Sequence, residues 1–150
     1  MNEKEKFFKL LKYSNELKKN KKSLRKEDPE IFKVLLNFLV RIERNFNYSE
    51  KQEYIELAKD FLADQMTADD FSYGFMGIYE GIGQKLGQME RTESLELANF
   101  LEPSRPELGD LLARIYGSCD SYSPDPEIAM ADEKELKECA QILLVTLQEE

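Results

Sequence analysis

Four helix-start signals, each followed by apolar residues three or four apart, constrain this chain more than any other feature of it. Asp28-Pro29-Glu30 supplies an N-cap, a proline at the first helical position and an acid in the first turn. Beyond it Ile31, Val34, Leu35, Phe38, Leu39, Ile42 and Phe46 mark one apolar face, which predicts a helix over about 29–46. Ser49-x-x-Gln52 is a capping box that opens a helix through about Gln65, with Tyr54, Ile55, Ala58, Phe61 and Leu62 on its apolar side. Thr67-x-x-Asp70 is a second box, followed by Phe71, Phe75, Ile78, Ile82 and Leu86. Asp132-x-x-Glu135 caps the last helix and leaves Leu136, Cys139, Ala140, Leu143 and Leu147 inward.

The remaining segments fit the same period. Phe7, Leu10, Leu11, Ser14 and Leu17 lie on one stripe. Thr92 is expected to cap a short helix containing Leu95, Leu97 and Leu101, which Pro103 ends. Pro106 starts another, carrying Leu108, Leu111, Leu112, Ile115 and Tyr116. No β-branched alternating run competes. An all-α fold is expected, a compact bundle of about six or seven helices forming one domain over residues 1–150. A chain of this size can bury roughly two thirds of its unfolded surface. No apolar run approaches the roughly 18 residues of a membrane span, and Met1 to Lys12 lacks a signal-peptide core, so a cytoplasmic location is expected.

The sequence contains no histidine. Histidine-dependent nucleophilic triads, His-ligated metals and imidazole acid–base chemistry are therefore excluded. Cys119 and Cys139 are too few and too far apart for a cluster or a disulfide framework, and read as buried reduced thiols. The expectation is a non-enzymatic binding protein without metal or cofactor.

Charge is unevenly spread along the chain. Residues 1–50 hold 13 Lys and Arg against 8 Asp and Glu, net +5, while residues 51–150 hold 8 against 22, net −14. The basic excess centres on Lys18, Lys19, Lys21, Lys22, Arg25 and Lys26. Three readings stay open: a solvated helix end favoured by the macrodipole, contact with nucleic acid or membrane, or pairing with the acidic part.

Three features of the acidic part invite a functional reading. Glu53, Glu56, Asp60 and Asp64 fall within roughly 80° of arc on their helix, and Asp69 and Asp70 continue the charge into the next. Like charges so placed cost a few tenths of a kcal/mol each. They make either a solvated face or a surface built to meet a positive one. Gly74, Gly77, Gly81, Gly83 and Gly87 crowd one helix. Without a preceding strand or the G-x-G-x-x-G spacing they are no phosphate loop, and each costs roughly 1 kcal/mol relative to alanine. Tight packing or a break near Gly83 would account for them, or else a groove for a partner. Finally, Cys119-Asp120-Ser121-Tyr122-Ser123-Pro124-Asp125-Pro126-Glu127 reads as a proline-stiffened loop presenting acids and Tyr122. It is either a binding loop or a connector whose tyrosine packs on the bundle.

Glu56-Leu57-Ala58-Lys59-Asp60-Phe61-Leu62, then Thr67-Ala68-Asp69-Asp70-Phe71 with Phe75, then Asp120 to Glu127 ahead of the Glu135-Leu136 helix, resembles the colicin D immunity-like proteins. The resemblance covers about residues 53–147 and leaves the first fifty without a counterpart. It implies a small helical protein that neutralises a cognate basic nuclease, of the tRNA-cleaving type, by covering its active site with acids. On this reading the expected toxin-binding residues are Glu53, Glu56, Asp60, Asp64, Asp69 and Asp70 of the acidic helical face and Asp120, Tyr122, Asp125 and Glu127 of the loop. The expected partner is the toxin protein, with no membrane and no direct nucleic-acid contact, and a homodimer is possible. A helical regulatory or nucleic-acid-associated protein using Lys18 to Lys26 is the alternative.

Overall fold

The computed structural model describes residues 1–102, 105–125, 127–129 and 131–148. The described chain is all-α: α1 Glu3–Lys19, α2 Leu24–Glu27, α3 Pro29–Ser49, α4 Lys51–Leu62, α5 Ala68–Arg91, a 3-10 turn Leu95–Phe100, α6 Pro106–Ser121 and α7 Glu133–Gln148. None of its described helices is long and apolar enough to cross a membrane.

Local chemistry explains most boundaries. Asn2 Oδ1 accepts from Glu5 N–H at 2.8 Å and opens α1. Asp28 Oδ1 accepts from Ile31 N–H at 3.2 Å at the start of α3. The Thr67–Asp70 box forms in both directions, at 3.1 and 3.4 Å, and Asp132 Oδ1 accepts from Glu135 N–H at 2.8 Å. Two expected caps do not form. α3 continues through Ser49, so Glu50 holds the cap position of α4 and its side chain makes no capping bond. Thr92 Oγ1 donates back to Gln88 O at 2.9 Å and finishes α5, while Ser94 caps the 3-10 turn through Glu96 N–H. Pro103, expected to end that segment, lies outside the described residues.

Three helix ends share one device. After α1, Lys22 N–H bonds Leu17 O at 2.8 Å and Lys21 N–H bonds Lys18 O at 3.0 Å. The same paired bonds close α4 (Gln65 to Asp60, Asp64 to Phe61) and α5 (Ser94 to Met89, Glu93 to Glu90). Each is a Schellman turn, which needs one left-handed residue and usually takes glycine. Here Lys21, Asp64 and Glu93 occupy it, at φ of 58°, 56° and 52°. No described glycine has positive φ.

The helices group into two units. The first comprises Met1–Phe46 with Gln84–Arg105, and the second Asn47–Gly83 with Pro106–Glu150. In the first, Phe7, Leu11, Leu24, Leu35, Phe38, Ile42, Phe46 and Leu97 are buried, with Phe7 on Phe38 and Phe46 edge-on to Phe100 at ring distances of 5.7 and 5.0 Å. Arg41 bridges Glu3 and Glu102 there, and Asn15 Nδ2 donates to Glu90 O at 2.9 Å. In the second, α4 packs along α7 and α6 beside it. Phe61 stacks on Phe71 at 4.5 Å, Tyr54 tilts against Phe75 at 5.2 Å, and the Tyr54 hydroxyl donates to Asn47 Oδ1 at 2.6 Å. Lys137 of α7 donates to Phe61 O at the end of α4, pairs with Asp64 at 2.8 Å and lies over the Phe61 ring.

Candidate functional site

The second unit concentrates the negative charge. Its sequence holds 5 Lys and Arg against 19 Asp and Glu, net −14, whereas the first unit holds 16 against 11, net +5. A division made by contacts thus reproduces the charge asymmetry of the sequence.

Within the second unit α5 has one helix on either side. Leu57 of α4 lies against Gly74, so close that an added Cβ would stand 2.9 Å from Leu57 Cδ1. On the other side Ser72 Oγ donates to Cys119 O at 2.7 Å, and Tyr79 tilts against Tyr116 of α6 at 5.2 Å. At 100° per residue Asp70, Gly77, Tyr73, Glu80 and Asp69 fit an arc of roughly 100° between those two sides. All five are exposed, Tyr73 by 71%.

Neighbouring helices extend this stripe. On α4, Glu53 and Asp60 flank Leu57 on the helix surface, Glu56 follows, and all three are exposed. On α6, the Tyr116 hydroxyl donates to Glu80, a bond that pushes the tyrosine pKa up, with burial and the charges of Glu80 and Asp120 adding to it. Tyr122 is half-buried and paired with Ala131 in a single β-bridge. Burial raises its pKa first, then the nearby carboxylates of Asp69 and Glu133. Asp69, Tyr73, Glu80, Tyr116, Asp120, Tyr122 and Glu133 therefore gather around one edge of α5, with the α4 acids along the opposite edge.

Several expected residues are placed differently. Asp64 is not on the α4 face, because the helix ends at Leu62 and Asp64 turns into the left-handed region, where Lys137 holds it. Cys119 and Asp120 belong to the last turn of α6 and not to a loop. Asp125 and Glu127 are exposed, yet among the described residues their hydrogen bonds stay in their own turn, Asp125 Oδ1 accepting from Glu127 N–H at 3.0 Å and Asp125 N–H donating to Ser123 Oγ at 3.1 Å. Pro126 lies outside the described residues. The glycine-rich helix runs unbroken through Gly83, and packing accounts for Gly74 alone among Gly74, Gly77, Gly81 and Gly83. A Cβ at Gly77, Gly81 or Gly83 would meet nothing within 4 Å.

Sequence reasoning missed Tyr73, Glu80, Tyr116 and Glu133. Asp69, Tyr73 and Glu80 recur at i, i+4 and i+11, and that spacing was the available signal. Both cysteines are buried, and burial pushes Cys119 up to about 12, with Cys139 adding to the effect. Such thiols are poor nucleophiles. Among the described residues no three carboxylates or thiols come together as a metal site would need. The arrangement offers carboxylates, phenols and exposed backbone, the means of binding a cationic surface. Comparison of the chain with protein-family models, curated proteins and solved structures finds no match.

Proposed function

We propose that this chain is an immunity protein whose second unit binds and neutralises a basic nuclease toxin, using the α5 stripe and the acids beside it. The observation that carries the reading is the exposed row Asp69, Tyr73, Glu80 between the α4 acids and the α6 tyrosine, on a unit of net −14. Carboxylates so arranged match the cationic groove in which a nuclease holds phosphates. Tyr73 supplies the large, little-flexible aromatic that interfaces use as an anchor. Gly77 lets a partner's backbone come close beside it. The resemblance of the three motifs to the colicin D immunity-like proteins supports the same reading.

The test is complex formation between the full chain and the toxic product of the adjacent gene, measured across salt. Binding should weaken steeply with salt. Tyr73→Ala should cost at least about 2 kcal/mol, roughly thirtyfold in Kd, as expected of a central anchor. Glu56→Gln with Asp60→Asn should mainly slow association. Salt-insensitive binding, or full protection by the Tyr73→Ala variant, would overturn the proposal.

A further inference from the structure

We infer that the Lys18–Lys26 corner of the first unit is a docking surface for the phosphate backbone of a double-helical nucleic acid. Lys18, Lys19, Lys21, Lys22, Arg25 and Lys26 are all exposed and lie within nine residues. The Schellman turn at the end of α1 folds the chain back sharply, with Lys21 at its left-handed position, and α2 begins three residues after it at Leu24. Six cations are thereby held on one knuckle instead of along an extended strand.

Neither bland account covers this cluster. The macrodipole favours cations in the last turn of a helix, which suits Lys18 and Lys19 in α1 and, weakly, Arg25 and Lys26 in the one-turn α2. It does not explain Lys21 and Lys22 between them, or the gathering of all six at one corner. Among the described residues the six make no ion pair, although Lys18 lies near enough to Glu90 to oppose the rise that burial gives that acid's pKa. The chain leaves these charges facing solvent although it carries 30 Asp and Glu.

The chemistry of the corner selects the partner. A membrane surface holds a basic segment firmly only when apolar groups enter the leaflet as well. The corner's one apolar side chain, Leu24, is 2% exposed and already packed inward. Specific pairing with an acidic protein favours the fixed fork of arginine, whereas five of these six cations are lysines, mobile point charges. Lysines suit a polymer with dense, evenly spaced charge, and a nucleic-acid duplex carries one phosphate per roughly 1.7 Å of axis. The inference uses no residue of the second unit and stands apart from the toxin-binding proposal.

Fluorescence anisotropy of labelled RNA and DNA duplexes of about 20 base pairs, titrated with the full chain across salt, tests it. Saturable binding is expected at low salt, with log Kd rising against log salt at a slope of about 4 to 5 if most of the six cations meet phosphates. K18Q/K19Q/K21Q/K22Q should weaken binding at least tenfold and flatten the slope. The matching lysine-to-arginine variant should keep it, and circular dichroism should show both variants folded. Absence of binding at the lowest salt, equal binding by the glutamine variant, or capture by anionic phosphatidylserine vesicles in preference to duplexes would each overturn the inference.

Discussion

Replacing Gly77, Gly81 and Gly83 together by alanine should make this protein more stable, although three positions within about two turns of one helix are altered. All three lie inside α5, where glycine costs about 0.8–1 kcal/mol relative to alanine because it orders more backbone freedom and contributes no side chain. A methyl group at each position meets no atom within 4 Å, so no overpacking opposes the gain. The gains sum to about 2–3 kcal/mol, roughly 5–10 °C in melting temperature for a chain of this size. Gly74→Ala is the internal control. Its methyl would stand 2.9 Å from Leu57 Cδ1, so Leu57 must move and part or all of the gain is lost. Urea titration and calorimetry of the triple variant, Gly74→Ala and wild type would measure the differences. A triple variant no more stable than wild type, or a Gly74→Ala gain equal to that of Gly77→Ala alone, would refute the reasoning. Gly77→Ala carries a second consequence, because the same methyl stands in the proposed toxin-binding stripe. It should weaken the complex while strengthening the free protein.

Thr67→Ala removes the hydroxyl that caps α5 and should cost about 1 kcal/mol in denaturant titration, with no change in the slope m. Lys21→Gly should stabilise by about 1 kcal/mol in denaturant titration, since it places glycine where a side chain now adopts a left-handed backbone. Glu93→Gly should gain less, because it also removes the carboxylate that accepts from the buried Asn15 amide. Alkaline pH should destabilise the fold. Cys119 ionises near 9 when unfolded and near 12 when folded, so stability present below pH 9 is lost as pH rises through that window. The slope is at most about 1.4 kcal/mol per pH unit, and a Cys119→Ala variant measured over the same range should show a shallower decline. For Glu90, burial raises the carboxyl pKa, so Glu90→Gln should gain stability at neutral pH and lose that advantage below the ordinary carboxylate range.

The fold was legible wherever periodicity and polar caps agreed. The Asp28-Pro29 start, the Thr67 box and the Asp132 cap all form where their residue types place them, because each is a contact between near neighbours in sequence. Helix ends were harder. The expected marker is glycine, yet Lys21, Asp64 and Glu93 close the three Schellman turns while the glycines sit inside helices, so composition pointed away from the true boundaries. Asp64 shows the effect on the site: a helix expected through about Gln65, where α4 ends at Leu62, places on its acidic face a carboxylate that in fact bonds to Lys137. Tyr73 is not legible in the apolar or glycine pattern of its helix, because an exposed aromatic leaves no mark on either. Which α5 edge faces α6 depends on contacts such as Tyr79 with Tyr116, thirty-seven residues apart, and no local rule supplies them.

The ammonium of Lys137, seated on the carbonyl that ends α4, makes the second unit dependent on the order in which the chain becomes available. All residues of the first unit have been synthesised once Arg105 has been added, whereas α4 must wait for α7, whose first residue is Glu133. At translation rates of about 5–20 residues per second that interval lasts a few seconds. Throughout it the side of α4 that meets α7 stays uncovered, while Tyr54 and Phe61 can already reach Phe75 and Phe71 of α5.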